Sequence, residues 1–131
     1  MSSHKLHSPI WLPKNKRGDK YYLNLNKYRN THYQTLNKLK IAYKEYMKKQ
    51  ILALPYFDKP IRVAYVAYPP NLVKFDLGNY LVVHQKFFED ALVELKRIHD
   101  DNYLYVVENR QLFGKVDRLN PRVSIYIKQD S

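Results

Sequence analysis

Leu36, Leu39, Tyr43, Met47 and Ile51 recur at three- and four-residue steps. That period marks the buried face of an α-helix. Asn30 or Thr31 is placed to cap its start, and the segment Leu54–Pro60, with two prolines, ends it. Directly afterwards, Ile61-Arg-Val-Ala-Tyr-Val-Ala-Tyr68 is rich in β-formers and close to alternating, with Ile61, Val63 and Tyr65 on one side. This reads as a strand, stopped by Pro69-Pro70. A helix and a strand that are each apolar on one side must cover one another, so the chain belongs with sheets backed by helices.

The rest of the chain extends this plan. Residues 71–79 read as a turn holding Lys74, Asp76, Gly78 and Asn79. A second helix is expected over about 80–96, with Leu81, Phe88, Leu92 and Leu95 near helical spacing and Phe87 and Ala91 beside them. His99-Asp-Asp-Asn102 is a polar break, and two strands follow, Tyr103 to Glu108 and Arg122 to Lys128. Towards the N-terminus, Pro9-Ile-Trp-Leu-Pro13 reads as an edge strand, because prolines at both ends limit ladder pairing. Residues 1–20 are otherwise polar and basic, and 14–30, with Gly18 and four asparagines, read as a basic loop. The expected order is β-α-β-α-β-β. This is an α/β (α+β) fold: a single small domain over 1–131 with one mixed sheet of about four strands covered by two helices. Its basic N-terminal segment, 1–30, is expected to be mobile.

Charge narrows the function. Lys and Arg number 23 against 12 acids, a net of +11. Residues 1–60 carry 13 basic and 3 acidic side chains, whereas 61–131 carry 10 and 9. Positive charge in one half and carboxylates in the other suit a polyanion binder with a separate acidic site. The alternative is a surface tuned for solubility, against which +11 is large for so short a chain. Tyr21, Tyr22, Tyr28, Tyr33, Tyr43 and Tyr46 lie among the basic residues. Such rings can stack on exposed bases, although Tyr43, on the helical stripe, reads as core.

Composition also excludes functions. With no cysteine, disulfides, thiol catalysis and cysteine-ligated metals are out, which fits a reducing compartment. No apolar stretch approaches a membrane span, no secretory signal is expected, and three glycines without a phosphate-loop pattern argue against a nucleotide cofactor.

Three acidic positions stand out: Asp76 at the start of the second helix, Asp90 on it, and Asp100-Asp101 just after it. Brought together, such carboxylates would repel one another unless a cation lay between them. Mg2+ favours hard oxygen ligands and needs few carboxylates, and Lys74 or Lys86 could neutralise charge on a phosphodiester. The plainer reading is that acids at helix starts serve the helix dipole. Of the five histidines, His4 and His7 read as a polar tail and His32 shows no metal spacing. His84 and His99 border the acidic motif. Arg118 and Arg122 read as solvent-facing.

The stretch Asp76-Leu77-Gly78-Asn79, then Lys86-Phe87-Phe88-Glu89-Asp90-Ala91-Leu92, then Ile98-His99-Asp100-Asp101-Asn102 resembles the signature of RusA-like endodeoxyribonucleases. That signature is Asp-Leu-Asp-Asn, a Lys with an aromatic, Asp-Ala-Leu and a later Asp-Asp pair. Ile10-Trp11-Leu12-Pro13 and Leu25-Asn26-Lys27-Tyr28-Arg29-Asn30 are similar to the N-terminal half of phage-encoded members. The resemblance implies a Holliday-junction resolvase that cleaves branched DNA as a homodimer with Mg2+ (or Mn2+), in the cytoplasm of a bacterial or phage-infected cell. It implies catalytic roles for Asp76, Lys86, Asp90 and Asp101, with metal held by Asp76, Asp100 and Asp101. Lys14, Lys16, Arg17, Lys20, Lys27, Arg29 and Lys74 are the expected DNA contacts.

Two departures bear on this. Gly78 stands where the family has a second acid, and about four extra residues separate Asn79 from Lys86. The insertion could bring His84 or Gln85 in as a substitute ligand. The alternatives are a catalytically silent DNA- or partner-binding protein on the same fold, and a protein that binds RNA or a host protein through its first helix.

Overall fold

The computed structural model describes residues 3–13, 15–72 and 77–130. Within them the order is β1 (Ser3–Ser8), β2 (Trp11–Pro13), β3 (Lys20–Tyr22), α1 (Leu25–Arg29), α2 (Tyr33–Leu52), β4 (Ile61–Tyr68), α3 (Leu77–Glu94), β5 (Val106–Phe113) and β6 (Arg122–Gln129). The main sheet runs β1-β6-β4-β5, and β2-β3 form a separate ribbon. β6 is antiparallel to both β1 and β4, whereas β4 and β5 are parallel. The sheet is therefore mixed, as expected, and α3 is the crossover that lets β5 lie parallel to β4.

The alternation in β4 is realised: Ile61, Val63, Tyr65 and Ala67 are buried. The register extends that layer across the sheet. Leu6 pairs with Ile125, which pairs with Tyr65, and Ser8 pairs with Val123, which pairs with Ala67. Residues aligned across a sheet share a face, and α2 closes this one with Leu39, Tyr43, Met47 and Ile51. Helix α3 adds Leu81, Val83, Phe87, Phe88, Ala91 and Leu92. Each large side chain so buried contributes about 1.5–3 kcal/mol relative to exposure. Lys40 pairs with Asp90 and Lys44 with Glu94. The same four-residue step on both helices means that α2 and α3 run in the same direction.

The structure corrects the N-terminal reading. Residues 3–8 are a strand of the main sheet, not a polar tail. Only Leu6 and Ser8 are buried there, which hid the alternation, and His4 packs edge-on against Phe57 with centroids 5.6 Å apart. The expected edge strand at 9–13 is instead β2 of the small ribbon. Residues 14–30 are not simply a loop. Asn15 accepts bonds from the Arg17 and Asp19 amides, and Gly18 takes φ +83 to close the ribbon's turn. Asn24 then accepts from the Lys27 amide and starts α1. The cap of α2 is His32, whose ring accepts from the Gln34 amide, and not Asn30 or Thr31. Thr31 is bonded to Lys27 O and Tyr21 Oη.

The bounds of two elements also move. Helix α3 begins at Leu77 and ends at Glu94. Strand β5 starts at Val106 rather than Tyr103, because Asn102 holds residues 103–105 in a turn through the amides of Leu104, Tyr105 and Val106. No helix among the described residues is long and apolar enough to cross a membrane.

Candidate functional site

The site is built around α3. Asp76 immediately precedes it, but Asp76 and Lys74 lie outside the described residues, as does Lys14. On the helix, Lys86 is exposed, with its ammonium 5.7 Å from the centre of the Tyr28 ring. Tyr28 also packs against Phe87 at 6.1 Å. These two contacts seat α1 on α3, so Lys27 and Arg29 belong to the same side of the molecule as Lys86.

One turn beyond Lys86, Asp90 is half-buried. Burial raises its pKa; Asp101 and Glu94 push the same way, while Lys40 and Lys86 oppose. Lys40 sits 3.8 Å from its carboxylate. Asp101 therefore lies within electrostatic reach of Asp90: the chain does fold the polar break back onto the helix. Asp101 is exposed, whereas Asp100 is committed to its own turn. Asp100 Oδ1 accepts from the Asp101 amide at 2.8 Å, and Oδ2 accepts from Asn102 Nδ2 at 3.1 Å.

Glu89 was missed in the sequence and is the most perturbed acid. It is 6 % exposed and accepts a bond from Tyr65 Oη at 2.8 Å. Burial pushes its carboxyl up to about 7, the Tyr65 and Asn109 bonds pull down, and Asp101 and Asp90 push up again. The signal available in the sequence was a glutamate inside the apolar run Phe87-Phe88-Glu89-Asp90-Ala91-Leu92. Its hydrogen-bonding partners come from β4 and β5 and could not be read from α3 alone.

His84 is placed in the core, away from these acids. It is fully buried, with Nδ1 2.7 Å from Ser8 Oγ, which in turn lies 2.6 Å from Tyr43 Oη. Burial alone lowers its pKa to about 3, with no carboxylate contributing, and Nε2 has no hydrogen-bond partner. This chain ties β1, α2 and α3 together through neutral groups. Gln85, the other suggested substitute, is half-buried on α3. His99 lies against Tyr105, ring centres 5.2 Å apart. Among the described residues no three His, Asp or Glu side chains gather as a metal would require.

The basic candidates spread over the ribbon and α1. Lys16 and Arg17 lie in the turn between β2 and β3, and Arg17 pairs with Asp19 at 3.2 Å. Lys20 stands over Trp11 at 4.8 Å, and Lys27 over Tyr21 at 6.0 Å. Arg29 is exposed. Arg122 is not simply solvent-facing: it stacks on Tyr68, 4.0 Å from the ring centre, and pairs with Asp117 at 2.7 Å.

No family model matches the chain, and no curated protein matches it.

Proposed function

We propose that this chain is a metal-dependent endodeoxyribonuclease of the RusA type that resolves four-way DNA junctions as a homodimer. The observation that carries the reading is the arrangement on α3. Lys86, Asp90 and Asp101 share one electrostatic neighbourhood with the buried Glu89, and α1, bearing Lys27 and Arg29, is seated beside them. A phosphate backbone drawn to these cations would meet the carboxylates.

The donor chemistry fits Mg2+. Burial raises the Glu89 and Asp90 carboxyls and the Asp101 charge adds to it, a repulsion that a divalent ion would relieve. Asp101 would hold the ion with Asp76; Asp100 is spent on its turn. A bound ion offsets charge on a phosphodiester and makes hydroxide available near neutral pH. Lys86 supplies a further cation for the phosphate. A junction is nearly two-fold symmetric, so paired cuts suit a two-fold dimer with one site per subunit.

Gly78 favours a second reading, a DNA-binding protein on this fold without catalysis. Incubation of the unmodified protein with a labelled four-way junction over a Mg2+ and Mn2+ titration separates the two. Paired nicks are expected, and Asp101→Asn should reduce them at least about a hundredfold while junction binding persists. The same substitution should weaken Mn2+ binding in calorimetry. Tight binding with no nick at any metal concentration would establish the second reading instead.

A further inference from the structure

A cavity of about 750 Å3 opens beside the β2-β3 ribbon, away from the carboxylates, and its walls include Pro9, Trp11, Tyr46, Asn120, Pro121 and Arg122. It lies within the size range of small-ligand sites. We propose that it receives an unpaired nucleobase of the bound DNA. This rests on the nucleic-acid reading above and adds a second contact to it.

Three observations point to that occupant. First, the lining includes two large aromatic rings. Trp11 is half-buried with Lys20 over its ring at 4.8 Å, and Tyr46 is 56 % exposed with no hydrogen bond to its hydroxyl among the described residues. A base has a π-face whatever its identity, so an exposed ring serves as a stacking platform. Second, hydrogen-bonding groups are available for a base edge. Among the described residues Asn120 bonds only through its backbone, leaving its side-chain amide for a base edge, and no bond engages the Trp11 Nε1. Third, the charge suits a strand that brings the base in. No carboxylate lines the cavity, and Asp117 reaches it only by pairing with Arg122. Lys20 stands at Trp11, and Lys49 lies one helical turn from Tyr46 on α2. Both are without ion pairs among the described residues and are placed to meet flanking phosphates. The neutral Ser8 also lines the cavity, and its hydroxyl is fixed by Tyr43 and His84.

Trp11 is the single tryptophan of the chain, so its emission reports on this cavity alone. The full-length protein is titrated, in EDTA to prevent cleavage, with a thymine-bearing single strand and with a fully paired duplex of equal length. Quenching of Trp11 by the single strand and not by the duplex is expected. Tyr46→Ala, at an exposed position that the fold does not need, should weaken single-strand binding about tenfold and leave duplex binding unchanged. DNA binding that leaves Trp11 emission unaltered and is indifferent to Tyr46→Ala overturns the pocket while sparing the nuclease reading. Failure to bind the single strand also overturns the pocket, and failure to bind a four-way junction as well overturns both.

Discussion

At Glu89 the fold holds a carboxyl that water would ionise at a lower pH. Its pKa is raised from 4.5 to about 7, the reverse of the usual salt-bridged acid. The folded state therefore binds the proton more tightly than the unfolded one, and stability falls as pH rises from about 4.5 to about 7. Below that window both states are protonated and the cost vanishes; above it the cost is complete, on the order of 3 kcal/mol. Glu89→Gln keeps an oxygen for the Tyr65 hydroxyl and removes the charge. It should raise stability at pH 8 by roughly 2 kcal/mol and leave it nearly unchanged at pH 4. Urea melts of both proteins at the two pH values test this, and an equal shift at both would mean that packing rather than ionisation is the cause. The same residue shows where sequence reading stops. The neighbouring Asp90 and Asp101 could be singled out as candidates because motif spacing marks them. Glu89 and His84 were not legible: one owes its character to Tyr65 and Asn109 on strands distant in sequence, the other to Ser8 and Tyr43.

Elements were legible in proportion to their amphipathicity. α2 and β4 could be read almost to the residue, because a stripe of Leu39, Tyr43, Met47 and Ile51 or an alternation of Ile61, Val63 and Tyr65 can face only one way. Edge strands defeat that signal. β1 buries little besides Leu6, and β5 carries Glu108-Asn-Arg-Gln111 through its middle because only one of its edges is paired. The end of α3 illustrates a further element that composition concealed. The Arg97 amide bonds to Leu92 O at 2.9 Å and the Lys96 amide to Val93 O at 3.0 Å, with Lys96 at φ 59. This is the Schellman closure, in which the left-handed position is normally glycine. Lysine there carries the strain of a β-carbon against the backbone. Lys96→Gly should therefore stabilise the protein by roughly 0.5–1 kcal/mol after the entropy of glycine is subtracted. The gain appears as a higher thermal midpoint with unchanged helix content in circular dichroism, and a lower midpoint would contradict the strain assignment.

At the scale of the whole molecule, β5 is the outer strand of the main sheet beyond β4. Eight residues long and without proline or lysine, it exposes Val107, Leu112 and Phe113; a bulge falls at Val107, and its register with β4 is regular from Glu108 to Phe113. It is also self-complementary. If two copies meet antiparallel about a two-fold axis at Asn109, Glu108 of each faces Arg110 of the other. Opposite charges directly across a ladder add about 0.2–1 kcal/mol, and the two-fold axis doubles this. This would join two four-stranded sheets into one of eight and supply the paired sites that symmetric junction cleavage asks of a resolvase. Arg110→Glu sets glutamates opposite one another at both ends of the contact without touching the core, since Arg110 is exposed. Sedimentation at micromolar concentration should show a dimer for the unmodified chain and a monomer for Arg110→Glu, and adding Glu108→Arg should restore the dimer by re-forming the opposite-charge pairs in reverse. A dimer insensitive to both substitutions would place the interface elsewhere, with the apolar surface of α3 the next region to vary.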